Sequence, residues 1–291
     1  MKEPFFSIII PTFNRADFIR ETIESVQKQS FMSWECLVVD DGSIDNTAEI
    51  VSQIIIKDDR VRYIYQENAE RSVARNNGIN NSNGKYICFL DSDDYYKDNH
   101  LSVLYEEIKK TNEDIALYFV NHFVYSDNES IVSSLKYDNS PNYFIQNSTI
   151  PVRICIHSTI LNDLKFDSEI VIVEDTVLWT QISLKFPVHH IEKETVCYRW
   201  HDDNSVNIKN NCFLPRLLGL KKLFSDLNVR SLINSRMRNI AISNCYYGIA
   251  KHNLYKRNFL YMLINISKSI ILDIKCKQNK AKIYLIYEYF R

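Results

Sequence analysis

The sequence predicts an α/β protein in which a mainly parallel sheet, flanked by helices, is followed by a C-terminal helical appendage. Three observations carry this. Four apolar, β-prone runs alternate with three stretches of helical periodicity within residues 5–90. The unusual polar residues gather where those runs end, the edge at which open α/β sheets bind ligands. Charge is also divided along the chain, because residues 205–291 hold 16 Lys plus Arg against 3 Asp plus Glu, while residues 1–204 hold 19 against 33 and the net charge is only −1.

Taken in order, Phe5 to Ile10 reads as a buried strand closed by Pro11-Thr12-Phe13-Asn14. Asp17 to Val26 places apolar residues at helical spacing, with Asn14 or Asp17 as the expected cap. Trp34 to Val39 is a second strand that ends in Asp40-Asp41-Gly42-Ser43, and a helix is expected from about Asp45 to Ile56. Val61 to Tyr65 reads as a third strand, Val73 to Ser82 as a helix and Lys85 to Leu90 as the fourth strand. Strands and helices alternating this closely imply βαβ units with right-handed crossovers. Beyond them, Leu101 to Lys110 is an amphipathic helix, Ile115 to Tyr125 a strand, and Asp127 to Thr149 a polar excursion suited to acceptor-binding or ordinary surface loops.

The fourth strand ends in Asp91-Ser92-Asp93-Asp94, three carboxylates within four residues. Clustered carboxylates repel, and an oxygen-preferring ion such as Mg²⁺ or Mn²⁺ relieves the repulsion while carrying a diphosphate. The plainer reading is a solvated acidic turn with Asp94 or Asp98 capping the next helix. A nucleotide base needs an apolar surface and in-plane hydrogen-bond partners; Pro11, Thr12 and Phe13 suit the first need, and Asp41 the second. Gly42 lets backbone approach a ligand closely.

Four segments in this order, Phe6 to Arg15, Val38-Val39-Asp40-Asp41-Gly42-Ser43, Ala74-Arg75-Asn76-Asn77-Gly78-Ile79 and Phe89-Leu90-Asp91-Ser92-Asp93-Asp94, resemble the successive motifs of the family 2 inverting glycosyltransferases, which have the GT-A (Rossmann-like) fold. The resemblance implies that Pro11, Thr12, Phe13, Asn14, Asp41 and Ser43 line a nucleoside pocket, that Arg75 contacts base or diphosphate, and that Asp91, Ser92 and Asp93 meet ribose and metal. Val171 to Trp179 looks like the Glu-Asp motif of the family, implying Asp175 as the general base and Glu174 as its support. Tyr198-Arg199-Trp200-His201 resembles a Tyr-Arg-x-His segment, which implies that His201 completes the metal site or touches the diphosphate and that Arg199 adds charge near it. His157 is a further candidate to face the acceptor. One departure stands out: relatives often have glycine and small residues before the Ala-Arg-Asn motif, whereas this chain has Asn68-Ala69-Glu70-Arg71-Ser72-Val73.

The expected organisation is a GT-A catalytic domain over 1–205, with a nucleotide-binding half 1–94 and an acceptor half 95–205, and a basic helical region over 206–291. The expected reaction moves a sugar from a nucleotide-diphosphate donor, UDP-linked by preference, to a hydroxyl on a glycan or lipid-linked acceptor, with Mg²⁺ or Mn²⁺. Two other classes compete. One is a non-catalytic nucleotide-sugar or membrane-binding module; the other is an aspartyl-nucleophile phosphatase, whose Asp-x-Asp signature belongs on a first strand followed by different residues. Seven scattered cysteines with no CxxC pair suggest a reducing compartment and no structural zinc. The N-terminus shows no secretion signal, so a cytoplasmic location is expected. Phe259 to Leu272 is apolar but interrupted by Asn265 and Lys268, too short to span a bilayer. With Lys and Arg around it, and Tyr284, Tyr287, Tyr289 and Phe290 behind it, it suits either a helix lying on an anionic membrane surface or an appendage packed on the catalytic domain. No nucleic-acid partner is expected.

Overall fold

The computed structural model of the chain describes residues 3–112, 115–126, 129–133, 137–138, 140, 143–147, 149–201, 212–274 and 282. The expected α/β alternation is present. Strands β1 (Phe6–Thr12), β2 (Trp34–Asp40), β3 (Val61–Tyr65) and β4 (Tyr86–Phe89) alternate with helices α1 (Ala16–Gln27), α2 (Thr47–Ile55) and α3 (Arg71–Asn80). Their order in the sheet is β3-β2-β1-β4, parallel throughout. Every residue of β1 and β2 is buried, as a strand covered on both faces requires, and this is why the runs read as continuously apolar. The pleat sends Ile8 and Ile10 into one core with Ile19, Ile23, Val51 and Leu104, and Ile9 into the other with Val39, Phe89 and Trp179.

The second half mixes directions. After β5 (Tyr95–Tyr96), α4 (His100–Lys110), β6 (Leu117–Ser126), β7 (Glu129–Ser133) and α5 (Tyr143–Gln146), strand β8 (Ile154–His157) lies antiparallel to both β4 and β6. Helices α6 (Ile160–Asp163) and α7 (Glu174–Ser183) lead to β9 (Val188–Arg199), which runs parallel to β6 and antiparallel to β5. The sheet is thus parallel where the nucleotide-binding half was expected and mixed beyond it.

One local expectation is corrected, and one turn is unusual. Helix α1 begins at Ala16 with neither Asn14 nor Asp17 capping it; the orphan amides of Arg15 and Ala16 donate instead to Thr47 Oγ1 at 3.1 Å and Asp45 Oδ2 at 3.0 Å. A cap supplied by the next loop cannot be found from local sequence. The run before Glu174-Asp175 is an irregular turn in which Val173 adopts φ 72°, ψ 17°.

The C-terminal region forms α8 (Phe213–Ser225), α9 (Leu227–Leu232), α10 (Ser235–Tyr255) and α11 (Phe259–Leu272). Leu217, Leu220 and Leu223 of α8 share a core with Ile170, Val173 and Val177, so the region packs on the α/β part of the chain. Helix α11 folds back along α10, where Ser243 and Ser269 exchange hydrogen bonds at 2.7 and 2.9 Å. No helix among the described residues is long and apolar enough to cross a membrane. The aromatic tail at 284–290 lies outside the described residues. The six described cysteines are buried and form no disulfide with one another.

Candidate active site

At the carboxyl ends of β1, β2 and β4 the chain leaves a cleft of about 340 Å³. Eight of the expected residues line it: Pro11, Thr12, Phe13, Asp41, Arg75, Asp91, Ser92 and Asp93. They converge because seven of them end or directly follow a strand at the same edge of one parallel sheet, and α3 brings Arg75 to that edge from its second turn. Phe13 is 46% exposed in the cleft wall, an open ring face for a planar base. Thr12 Oγ1 is buried there without a protein partner.

Asn14 and Ser43 do not line the cleft; they lock its two loops together. Asn14 N donates to Ser43 Oγ and Ile44 N donates to Asn14 Oδ1, both at 2.9 Å. Asp40 is likewise spent on structure, accepting from Ser43 N and from Tyr63 Oη. Asp41 faces inward but is largely occupied: Oδ1 accepts from Gln66 Nε2 and Ala69 N, and Oδ2 from Glu70 N. One acceptor position of Oδ2 therefore remains for a ligand donor.

The unusual Asn68 to Arg71 segment is part of the cleft, with Asn68, Glu70 and Arg71 in its wall. Glu70 holds φ 80°, ψ 155°, a conformation used almost solely by glycine and costing other residues roughly 1–3 kcal/mol. The two hydrogen bonds to Asp41 hold it there. A motif-based reading missed these residues because it expects glycine at this turn; the only sequence signal was the departure itself. Gly42, at φ 83°, lets the β2 turn pass close beneath, since a Cβ there would lie 2.9 Å from Asn68 N. Gly42→Ala should lower stability by roughly 1–2 kcal/mol. Calorimetric unfolding checks this; an unchanged Tm would mean the two loops do not depend on each other.

The cleft floor is a buried charge chain. Arg75, 2% exposed, donates to Asp91 Oδ1 and to Glu174 Oε1, both at 2.8 Å. Arg71 adds a looser contact to Glu174 at 3.9 Å. Asp93 meets His201 Nε2 at 3.1 Å and Arg15 Nε at 3.6 Å, and the His201 ring stacks on Phe18. Asp94 is not a solvated cap; it is 1% exposed, and burial with Asp91 and Asp93 beside it pushes its carboxyl well above the usual range. The acidic cluster thus buries one member and sets an arginine against each of the other two, Arg75 on Asp91 and Arg15 on Asp93.

Arg199 points elsewhere than expected. Its guanidinium pairs with Glu21 at 2.6 Å on α1, while its backbone N–H donates to Asp94. Tyr198, not singled out from the sequence, takes its place in the cleft wall. His157 pairs in register with Tyr86, the first residue of β4, so it lies at the opposite end of the strand from Asp91. Glu174 and Asp175 open α7 just outside the cleft lining, joined to it through Arg75. Burial and the adjacent Glu174 push the Asp175 carboxyl up to about 7, against the pull of the Thr176 N–H, Arg75 and Arg216.

Comparison with known proteins gives the chain a family and a fold. The chain matches the family described as Glycosyl transferase family 2 over residues 7–166. It is 33% identical over 297 residues to the uncharacterized glycosyltransferase RC0461 of Rickettsia conorii, covering 91% of this chain and 47% of that protein. It is 37% identical over 120 residues to the GalNAc(5)-diNAcBac-PP-undecaprenol beta-1,3-glucosyltransferase of Campylobacter jejuni, covering 40% of this chain and 38% of the relative. The fold superposes on S. aureus TarS 1-349 in complex with UDP-GlcNAc with a TM-score of 0.66 at 15% identity, covering 98% of this chain and 89% of that one. The chain spans between 18% and 47% of the length of the first four curated relatives it matches. On the match over residues 7–166, which includes strands β1 to β4 and the acidic strand end, the chain belongs to glycosyl transferase family 2.

Proposed function

We propose that this protein is an inverting glycosyltransferase that moves a sugar from a UDP-linked donor to a hydroxyl of a glycan or lipid-linked acceptor in surface-polysaccharide assembly. The observation that carries the proposal is the meeting, at one sheet edge, of a nucleoside wall (Phe13, Asp41) with a diphosphate floor (Arg75, Asp91, Asp93). The UDP-GlcNAc complex of a protein of the same fold supports the donor class, and the undecaprenol-linked acceptor named for the Campylobacter relative supports the acceptor class.

In this reading the acceptor oxygen attacks the anomeric carbon as the bond to the diphosphate breaks, the diphosphate leaves with the bonding electrons, and the hydroxyl proton passes to an Asp175 oxygen. A carboxyl held up to about 7 is suited to that task near neutral pH. Glu174, fixed by Arg75, holds the start of α7 in place. Phe13 offers the base a stacking face, and Asp41 accepts from base or ribose.

The chemistry of the acidic strand end fits a divalent cation: Asp91 and Asp93 offer oxygen donors, His201 lies against Asp93, and the buried Asp94 Oδ2 has no partner. Among the described residues no three such groups already form a cage. That suits Mg²⁺ or Mn²⁺, which takes one or two carboxylates and completes its shell with phosphate oxygens and water. Asp93, His201 and Asp91 would hold the ion, which when bound neutralises charge on the departing diphosphate. Asp93→Ala should abolish turnover and Mn²⁺-dependent UDP binding while the protein still folds. The check is UDP affinity by calorimetry with Mn²⁺ and with EDTA; equal affinities in the wild type would sink the metal assignment.

A peripheral membrane site fits helix α11. Leu260, Tyr261, Ile264 and Ile271 are exposed along it, with Lys268 among them and Lys256 and Arg257 before its first turn. An apolar stripe bordered by cations matches an anionic lipid surface. Binding to anionic vesicles should weaken as salt rises, by screening of roughly 1 kcal/mol per cation near the surface. Ile264→Asp with Ile271→Asp should release the protein. Equal partitioning of the wild type onto neutral vesicles would refute the electrostatic part.

A further inference from the structure

The Glu174–Asp175 pair is launched from a turn that its own sequence disfavours. Val173 is left-handed at φ 72°, although its β-branched side chain makes that conformation costly. No side chain caps the helix it begins, and its carbonyl accepts from Val177 N at 2.9 Å. What meets Val173 is α8. A Cβ at Gly219 would lie 2.8 Å from Val173 Cγ2, 2.9 Å from Ile170 Cγ2 and 3.3 Å from the Ile172 carbonyl oxygen. Only a glycine lets α8 close on the turn at this distance, and Val173 is left 5% exposed.

Arg216 lies three residues before Gly219, on the same side of α8. Its charge acts on Asp175 along with that of Arg75 from α3, opposing Glu174 on α7. Among the described residues Arg216 also faces the buried thiols of Cys212 and Cys245, the latter pushed up to about 11 by burial.

We propose that α8 is a positioning element for the acid pair: Gly219 seats the left-handed turn at Val173 that aims α7, and Arg216 sets a positive charge against Asp175. This rests on the reading of Asp175 as the base. It makes the C-terminal helical region part of the catalytic machinery, although the family match ends at residue 166.

The test uses the full chain with Arg216→Met, Arg216→Lys, Gly219→Ala and, as a control, Asp175→Asn. UDP affinity, kcat and the pH profile of kcat/KM for the acceptor are measured for each. Arg216→Met should move the acidic limb of the profile upward by about half a pH unit or more, with UDP affinity unchanged, and Arg216→Lys should restore it. Gly219→Ala should lower kcat by about tenfold or more through misplacement of α7, again without loss of UDP binding. If Gly219→Ala fails to fold, the Arg216 pair on its half-buried side chain carries the test. An acidic limb unmoved in Arg216→Met, in an enzyme that Asp175→Asn inactivates, overturns the inference alone. Wild-type transfer by Asp175→Asn removes the base assignment and the inference together.

Discussion

Asp175→Asn is expected to lower sugar transfer by roughly 10²–10⁴-fold while UDP affinity stays near the wild-type value. The amide preserves the shape of the side chain and its acceptance from the Thr176 N–H, but removes the basic oxygen. Glu174→Gln should be milder in rate, since that carboxylate is turned toward Arg75. A second readout follows from protonation. Because the folded protein holds the Asp175 carboxyl up to about 7, above its usual value of 3.8, the folded state binds the proton more tightly than the unfolded chain does. Stability from this group is full below about pH 4 and is lost as pH rises toward 7. Transfer should rise over the upper part of that window as the base form appears, so activity and stability move in opposite directions. Thermal melts between pH 5 and 8 should show the wild type losing more Tm than Asp175→Asn. Equal losses, together with near-wild-type transfer by the variant, would make the pair an ordinary acidic helix start.

The largest expected stability effect is at Arg75. Among the described residues, Arg75→Met leaves Glu174, 4% exposed and next to Asp175, with only the Arg71 cation at 3.9 Å. Breaking a buried pair by removing one partner costs about 3–5 kcal/mol. For a chain of this size that lowers Tm by on the order of 10 °C. Removing both partners, in Arg75→Met with Glu174→Leu, should recover much of the loss, because the unpaired buried charge is gone. Neither variant should bind UDP well, since Asp91 then lacks the cation that neutralises it beside the diphosphate floor. A single-variant loss below about 1 kcal/mol would mean that solvent screens the chain of charges.

The parallel half of the fold was legible from residues 5–94 because β1, β2 and β4 are buried along their whole length, and burial on both faces writes itself as apolar runs such as Ile8-Ile9-Ile10 and Leu37-Val38-Val39. The cleft was legible for a related reason. Parallel strands put their carboxyl ends at one edge, so polar residues that follow apolar runs meet there, and Phe13, Asp41, Asp91 and Asp93 do so without further information. The antiparallel insertion of β8 between β4 and β6 was not legible. Its few residues, Ile154-Cys155-Ile156-His157, contain no sign of direction, and that direction is what carries His157 away from the cleft.

What residue order alone determined was which side chains stand at the ligand edge, since periodicity and strand ends are local properties. What only the tertiary structure decided was what those side chains do with their hydrogen bonds and charges. Asn14 and Ser43 hold each other, and Arg199 turns to Glu21. Glu70 is held by Asp41 in a glycine-like conformation, and Val173 is held left-handed by a helix 46 residues further on at Gly219. Each depends on a partner distant in sequence, and a lone pair, a cation or a close contact is assigned by distance in space, which no local pattern encodes.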